Sequence, residues 1–272
     1  MRLSTRLGSD ATRVVRDGRL TAVVPGEEGF EVASAWQLPD GTVRVRAPSE
    51  AALEEIRFAL GLDDDHSEFL RRFAGDPMLG AATRVLRGLR PMRVSTVAQA
   101  LLRAVAGQLI TARQARADER RVVRAATPEI EGTGLHAPPT AAALARFAPA
   151  ELRSLGLGGR RAATLVRLCR GLDLQRLRGL PTGAAADRLE RERGLGPWSV
   201  GVVCLQGLGR YERGLVGDLG LVKLCSARRG RRVETWETAE LLEPYGEWAG
   251  LASVYLLAGY ARGLVPLQRA AA

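Results

Sequence analysis

Lysine is almost missing from this 272-residue chain: among 40 Lys and Arg residues, Lys223 is the single lysine. Histidine occurs twice, at His66 and His136, with no partner ligand at metal-binding spacing. No metal site is therefore expected, and both histidines read as surface or loop residues. The three cysteines, Cys169, Cys204 and Cys225, lie far apart in apolar helical contexts. They form no disulfide framework and read as reduced core thiols of a cytosolic protein. There is no apolar run long enough to span a bilayer and no signal peptide, so neither export nor membrane insertion is expected. No cofactor is expected either.

What is present is a full hydrophobic complement of 46% and a net charge of +10 carried by arginine. The length suits two domains at about 150 residues each. A strongly basic chain suits a polyanion such as DNA. The alternative is a GC-rich genome that favours arginine codons on an evenly solvated surface. Residues 1–62 carry short β-rich runs at Thr12–Arg16, Leu20–Val24, Phe30–Trp36 and Thr42–Arg46. Turns at Asp17-Gly18 and Pro39-Asp40-Gly41 separate them, as in an antiparallel hairpin. Ser49 can cap a helix to about Leu60. From residue 63 onward the pattern is helical, with no convincing strand. The acidic Asp63-Asp64-Asp65 reads as a solvated helix start, and Ala126–Pro139 as a Gly/Pro-rich loop. The expected fold is mostly α: a small antiparallel α+β domain at 1–62, then a helical region at 63–272.

The most informative stretch is Leu189–Lys223. A helix at about 185–193 runs into Gly194-Leu195-Gly196, where glycines permit a turn that side chains would block. Pro197 suits the first position of the next helix, which extends to about Leu208. The turn leaves N–H groups at Gly194, Gly196 and Trp198 free for a phosphate. Asp218 follows 22 residues after Gly196 and opens a further helix.

Arg193-Gly194-Leu195-Gly196-Pro197-Trp198 resembles the helix-hairpin-helix of DNA glycosylases, and Gly217-Asp218-Leu219-Gly220-Leu221 resembles the segment bearing their catalytic aspartate. Within that superfamily the chain is most similar to the alkylbase (3-methyladenine, type II) glycosylases. Arg193 replaces the usual proline, a change a surface hairpin tolerates. The resemblance spans about Asp76 to Arg262. It implies double-stranded DNA with damaged bases as the partner, a monomer, and a nucleoid-associated place in the cytoplasm.

It also implies roles. Asp218 would stabilise the positive charge that builds on the sugar as the base departs, and could orient the attacking water. An ordinary helix cap is the alternative, and the two are compatible. Trp198 would stack on a flipped-out base, with a cation–π gain for an alkylated one; a core tryptophan is the alternative. The second family aromatic is missing, since its place is Val202. Tyr255 is the candidate for the opposite wall, ahead of Trp248. Gln108 and Leu109 resemble the family's wedge, which fills the gap left by the flipped base; otherwise Leu109 merely closes a helix pair. The lysine that strand-cutting relatives use as a Schiff-base amine is replaced by Trp198, and Cys225 lacks the close partners of an iron–sulfur site. The basic run Arg228–Arg232 is either a phosphate contact or a mobile loop. The expected activity is monofunctional removal of 3-methyladenine-like bases. An oxidised-base glycosylase/lyase and a non-catalytic DNA-binding module are the other readings.

Overall fold

A computed structural model describes residues 9–181 and 183–267. Four strands, β1 (Arg13–Arg16), β2 (Arg19–Gly26), β3 (Gly29–Gln37) and β4 (Val43–Arg46), form an antiparallel meander in chain order. Period-two alternation sends Leu20, Ala22 and Val24 of β2, with Ala33 and Ala35 of β3, toward one face. There they meet Ala52, Ile56 and Leu60 of α1 (Glu50–Leu60) in a small core of their own. Ser49 caps α1 by accepting from the Ala52 N–H at 3.2 Å.

The helices that follow are α2 (Ser67–Arg72), α3 (Gly80–Val85), α4 (Val97–Ala106) and α5 (Ala112–Ala126). The stretch expected to be a plain loop holds a short hairpin, β5 (Glu129–Ile130) with β6 (Leu135–His136). Leu135 and Ala137 cover Val23 on the other face of the sheet, and the His136 N–H donates to Ala11 at 2.7 Å. Long-range burial selects this hairpin, which explains why two-residue strands left no local pattern. Then come α6 (Ala141–Ala145), α7 (Pro149–Ser154), α8 (Gly159–Gly171), α9 (Ala184–Glu190), α10 (Pro197–Val203), α11 (Leu219–Arg229), α12 (Glu237–Leu242) and α13 (Ala249–Tyr260).

α4 is the axis of the main core. Its apolar residues are buried on every side, not on one face as the spacing of Val97, Leu101 and Val105 suggests, because α5, α8 and α10 all pack on it. A helix so enclosed need not be amphipathic. Among the described residues no helix is long and apolar enough to cross a membrane. All three cysteines are buried and unpaired, and burial pushes the thiols of Cys169 and Cys204 up to about 12.

Two local expectations fail together. His66 is buried, and its Nε2 lies 2.9 Å from the Tyr211 hydroxyl. Asp64 is not a solvated helix start: it accepts from the Arg93 guanidinium and the Tyr211 hydroxyl, each at 2.5 Å. Burial opposes its charge, yet His66 together with Arg93 and Tyr211 holds the carboxyl well below the usual carboxylate range. His66 lies 3.7 Å from the same carboxylate, but Arg93 and Tyr211 are far along the chain and nothing near Asp64 announces them.

Candidate active site

The hairpin forms as its residues require. Gly194 has φ +93°, and a Cβ there would stand 2.7 Å from the Thr164 hydroxyl. Both conformation and packing therefore demand glycine. Leu195 tucks into the core between two exposed glycines. Gly196 differs: its φ of −91° suits any residue, and a Cβ would meet nothing within 4 Å. The protein's own packing gives no reason for glycine at 196. Pro197 opens α10 as the next residue. Arg193 is exposed; its carbonyl is held by Arg167 rather than by any role for its own side chain.

α10 ends in a turn of π-helix, Cys204–Leu208, stopped by Gly209 at φ +67°. The chain then loops back so that Gly217-Asp218 reaches the start of α10. Asp218 caps α11: its Oδ1 accepts from the Gly220 N–H at 2.8 Å. Its Oδ2 accepts from the Trp198 Nε1–H at 3.1 Å. One carboxylate is thus fixed at both oxygens, by a helix terminus and by an indole. Both side chains line a cleft of about 800 Å³ between the α4–α5 turn and the α10 and α11 segments.

The α4–α5 turn presents Leu109 on the cleft's other side. Its relative exposure is 101% and its φ is +59°, a left-handed conformation rare for a leucine. Holding it there costs on the order of 1–3 kcal/mol. Gln108 explains how it is held. The amide does not project outward beside Leu109; its Nε2 donates to the Gly194 carbonyl at 2.9 Å and the Ser199 hydroxyl at 3.0 Å. Gln108 therefore ties the Leu109 turn to the hairpin, and the projecting residue is Leu109 alone. Trp198 adds to the joint: a Cβ on Gly107 would stand 2.5 Å from its ring.

Tyr255 does not belong to the site. It is fully buried, packs on Phe69 at 5.1 Å between ring centroids, and donates its hydroxyl to the Leu86 carbonyl at 3.1 Å. α13 instead approaches α11 through Leu257, which lies against Gly220. Two residues on a helix differ by roughly 200°, so Tyr255 and Leu257 take opposite faces. Trp248 is a core residue, stacked near Tyr211 and Phe69.

The inner end of the cleft is polar, which no local pattern foretells. Arg103 of α4 donates to Glu119 of α5 at 2.8 Å, to Gln206 of the π-turn at 3.1 Å and to Asp10 at 2.9 Å. Arg103, Glu119 and Gln206 line the cleft beside Val202. Burial works against the Arg103 charge, but Glu119 and Asp10 outweigh it and hold the guanidinium more firmly charged than in water. With Val202 opposite and Tyr255 absent, Trp198 is the one aromatic ring among the cleft's lining residues.

Lys223 is exposed on α11 and does not line the cleft. The basic run is less free than its charge suggests. Arg229 pairs with Glu237 and Glu240, and Arg231 with Glu237. His136 is half-buried, with Nδ1 2.9 Å from the Thr127 carbonyl.

A glycine hairpin, a capped aspartate 22 residues beyond it and a cleft between them define a class. The chain is similar in sequence and in fold to DNA glycosylases of the helix-hairpin-helix superfamily. It is 26% identical over 216 residues to the DNA-3-methyladenine glycosylase of Bacillus subtilis (strain 168), covering 76% of this chain and 71% of that one. Its fold matches a 3-methyladenine DNA glycosylase from Archaeoglobus fulgidus with a TM-score of 0.78 at 21% identity, over 92% of this chain and 89% of the other. It also matches an 8-oxoguanine glycosylase/lyase of Clostridium acetobutylicum bound to double-stranded DNA, with a TM-score of 0.76 at 19% identity, over 93% and 88%. No protein-family model matches the chain.

Proposed function

We propose that the protein removes alkylated, 3-methyladenine-like bases from duplex DNA by a one-step hydrolysis that leaves the strand intact. The observation that carries this reading is the Trp198–Asp218 pair. The residue in the position where strand-cutting relatives resemble one another by a lysine is an indole, and that indole holds the carboxylate. Hairpin N–H groups at Gly194, Gly196 and Trp198 take a phosphate of the lesion strand. Leu109 enters the stack as the damaged nucleotide leaves it. The base lies on Trp198. As the C1′–N bond breaks, its electron pair goes to the base, and Asp218 faces the positive charge left on the sugar. In the same step water adds to C1′ and passes its proton to the Asp218 carboxylate, yielding free base and an abasic site. A base that is already cationic needs no strong acid to leave. The likeness to a 3-methyladenine glycosylase in sequence supports this lesion class over the oxidised bases named for the Clostridium protein.

The test is incubation of the protein with methylated duplex. Release of 3-methyladenine with strands intact until alkali is expected. Nicks before alkali, or release from 8-oxoguanine duplex alone, would replace this reading with that of a lyase.

Leu109→Ala bears on the wedge. It is expected to weaken binding to abasic-site duplex by about tenfold, since unstacking costs a few kcal/mol that the leucine offsets. Undamaged duplex should be affected far less. The melting temperature should hold or rise, because the side chain is exposed in a left-handed turn. Equal losses on both duplexes, with a lower melting temperature, would make Leu109 a packing residue.

A further inference from the structure

Of the 13 aromatic residues (Phe, Trp and Tyr together), Trp236 alone is exposed, at 61%. It is one residue along the chain from the cleft lining. Thr235, its neighbour, lines the cleft and lies against Gly217, and the Thr238 hydroxyl accepts from the Gly217 N–H at 2.7 Å. Leu219, 57% exposed, follows Asp218 directly and lines the same mouth. Leu219 therefore lines the mouth beside the carboxylate, and Trp236 adjoins the Thr235 turn that packs on the same segment.

The turn beneath Trp236 is rigid. Glu237 accepts from the Glu234 N–H at 2.7 Å and is clamped by Arg229 and Arg231. The Thr238 hydroxyl donates to the Thr235 carbonyl at 2.6 Å. The basic run thus braces this turn from behind, which gives its arginines a use that phosphate binding does not. An indole held outward on a braced turn is a contact made ready for something outside the chain.

We infer that Leu219 and Trp236 form a second DNA-contacting surface, an apolar shelf that packs on deoxyribose rings of the lesion strand beside the flipped nucleotide. The inference rests on the glycosylase reading of the cleft and follows from its geometry. If Asp218 faces C1′, Leu219 starts one residue away, about 3.8 Å along the backbone, and must lie beside that sugar or the next. Phosphates are served by the hairpin and by exposed arginines, so the apolar matter left for an indole is the sugar edge and the base planes of a kinked strand.

The shelf should show as affinity without charge. Trp236→Ala is expected to weaken binding to duplex carrying a tetrahydrofuran abasic analogue by about tenfold, the scale of one aromatic contact to a nucleotide. The log–log salt slope should stay unchanged, because losing a phosphate contact would lower it by about 0.9. Trp236→Phe should stay within about threefold of wild type, and both variants should melt with wild type. Wild-type affinity in Trp236→Ala, the pattern of a ring serving a protein partner instead, overturns the inference. So does a lowered salt slope. Base release by wild-type protein, run alongside, reports separately: its absence removes the glycosylase reading, while its presence with an unaffected Trp236→Ala removes the shelf alone.

Discussion

Asp218→Asn is expected to lower base release from methylated duplex by about 10²–10³-fold, the loss seen when one preorganised electrostatic group is removed from a transition state. Little else should change. Asparagine caps helices as well as aspartate does, so its oxygen can keep the Gly220 N–H now 2.8 Å from Oδ1. It cannot also supply an anionic oxygen to the Trp198 N–H. One hydrogen bond to a charged acceptor is thereby lost, costing about 1.5–3 kcal/mol at most. Affinity for abasic-site duplex should stay within a few-fold, since hairpin and wedge are untouched. Single-turnover release at saturating enzyme separates the two quantities. A rate near wild type would leave Asp218 as a helix cap and nothing more.

Glu119→Ala is expected to have the largest effect on stability, about 3–5 kcal/mol, the usual cost of leaving a buried charge without its partner. Arg103 would retain Asp10 at 2.9 Å and Gln206 at 3.1 Å, but would lose the carboxylate that faces both its Nε and its terminal nitrogen. At roughly 2–4 °C per kcal/mol for a chain of this size, the melting temperature should fall by on the order of ten degrees. Arg103→Leu with Glu119→Leu should recover much of the loss, because an apolar pair of similar volume commonly replaces a buried ion pair without penalty. A single mutant within about 1 kcal/mol of wild type would mean that water entering the cleft, not the fold, balances Arg103.

The parts of this molecule that were legible in the sequence are those set by neighbours in the chain. The sheet follows from alternation and turn residues, α1 from the Ser49 cap, and the hairpin from Gly194, Gly196 and Pro197. Asp218 could be located because its spacing from the hairpin lies within one continuous stretch. The errors have a common cause. His66 and Asp64 find their partners at 93 and 211, and β5–β6 is held by a sheet more than a hundred residues earlier. Helical phase does not place Tyr255: the α13 pattern is apolar on all sides and offers no face from which to choose. Arg103 and Glu119 are separated by a turn and a helix, and charged residues at those positions read as ordinary surface. Adjacency to Leu109 suggests Gln108 for the wedge, whereas its amide reaches the hairpin. Trp236 carries no motif, and only exposure beside the cleft singles it out.

Leu109 projects fully in the free protein, with its turn already bonded to the hairpin through Gln108. No loop has to close before it can meet a duplex. With Leu109 as the wedge proposed above, the protein carries its probe extended and tests base pairs as it passes them, sound or damaged, and the encounter itself selects nothing. On that proposal selection falls on two later questions: whether a given pair yields under that pressure, and whether the base that comes out can stay against Trp198. Weakly paired and distorted sites would then be sampled most often, so the search is steered by the mechanical softness of the DNA before any lesion chemistry is read.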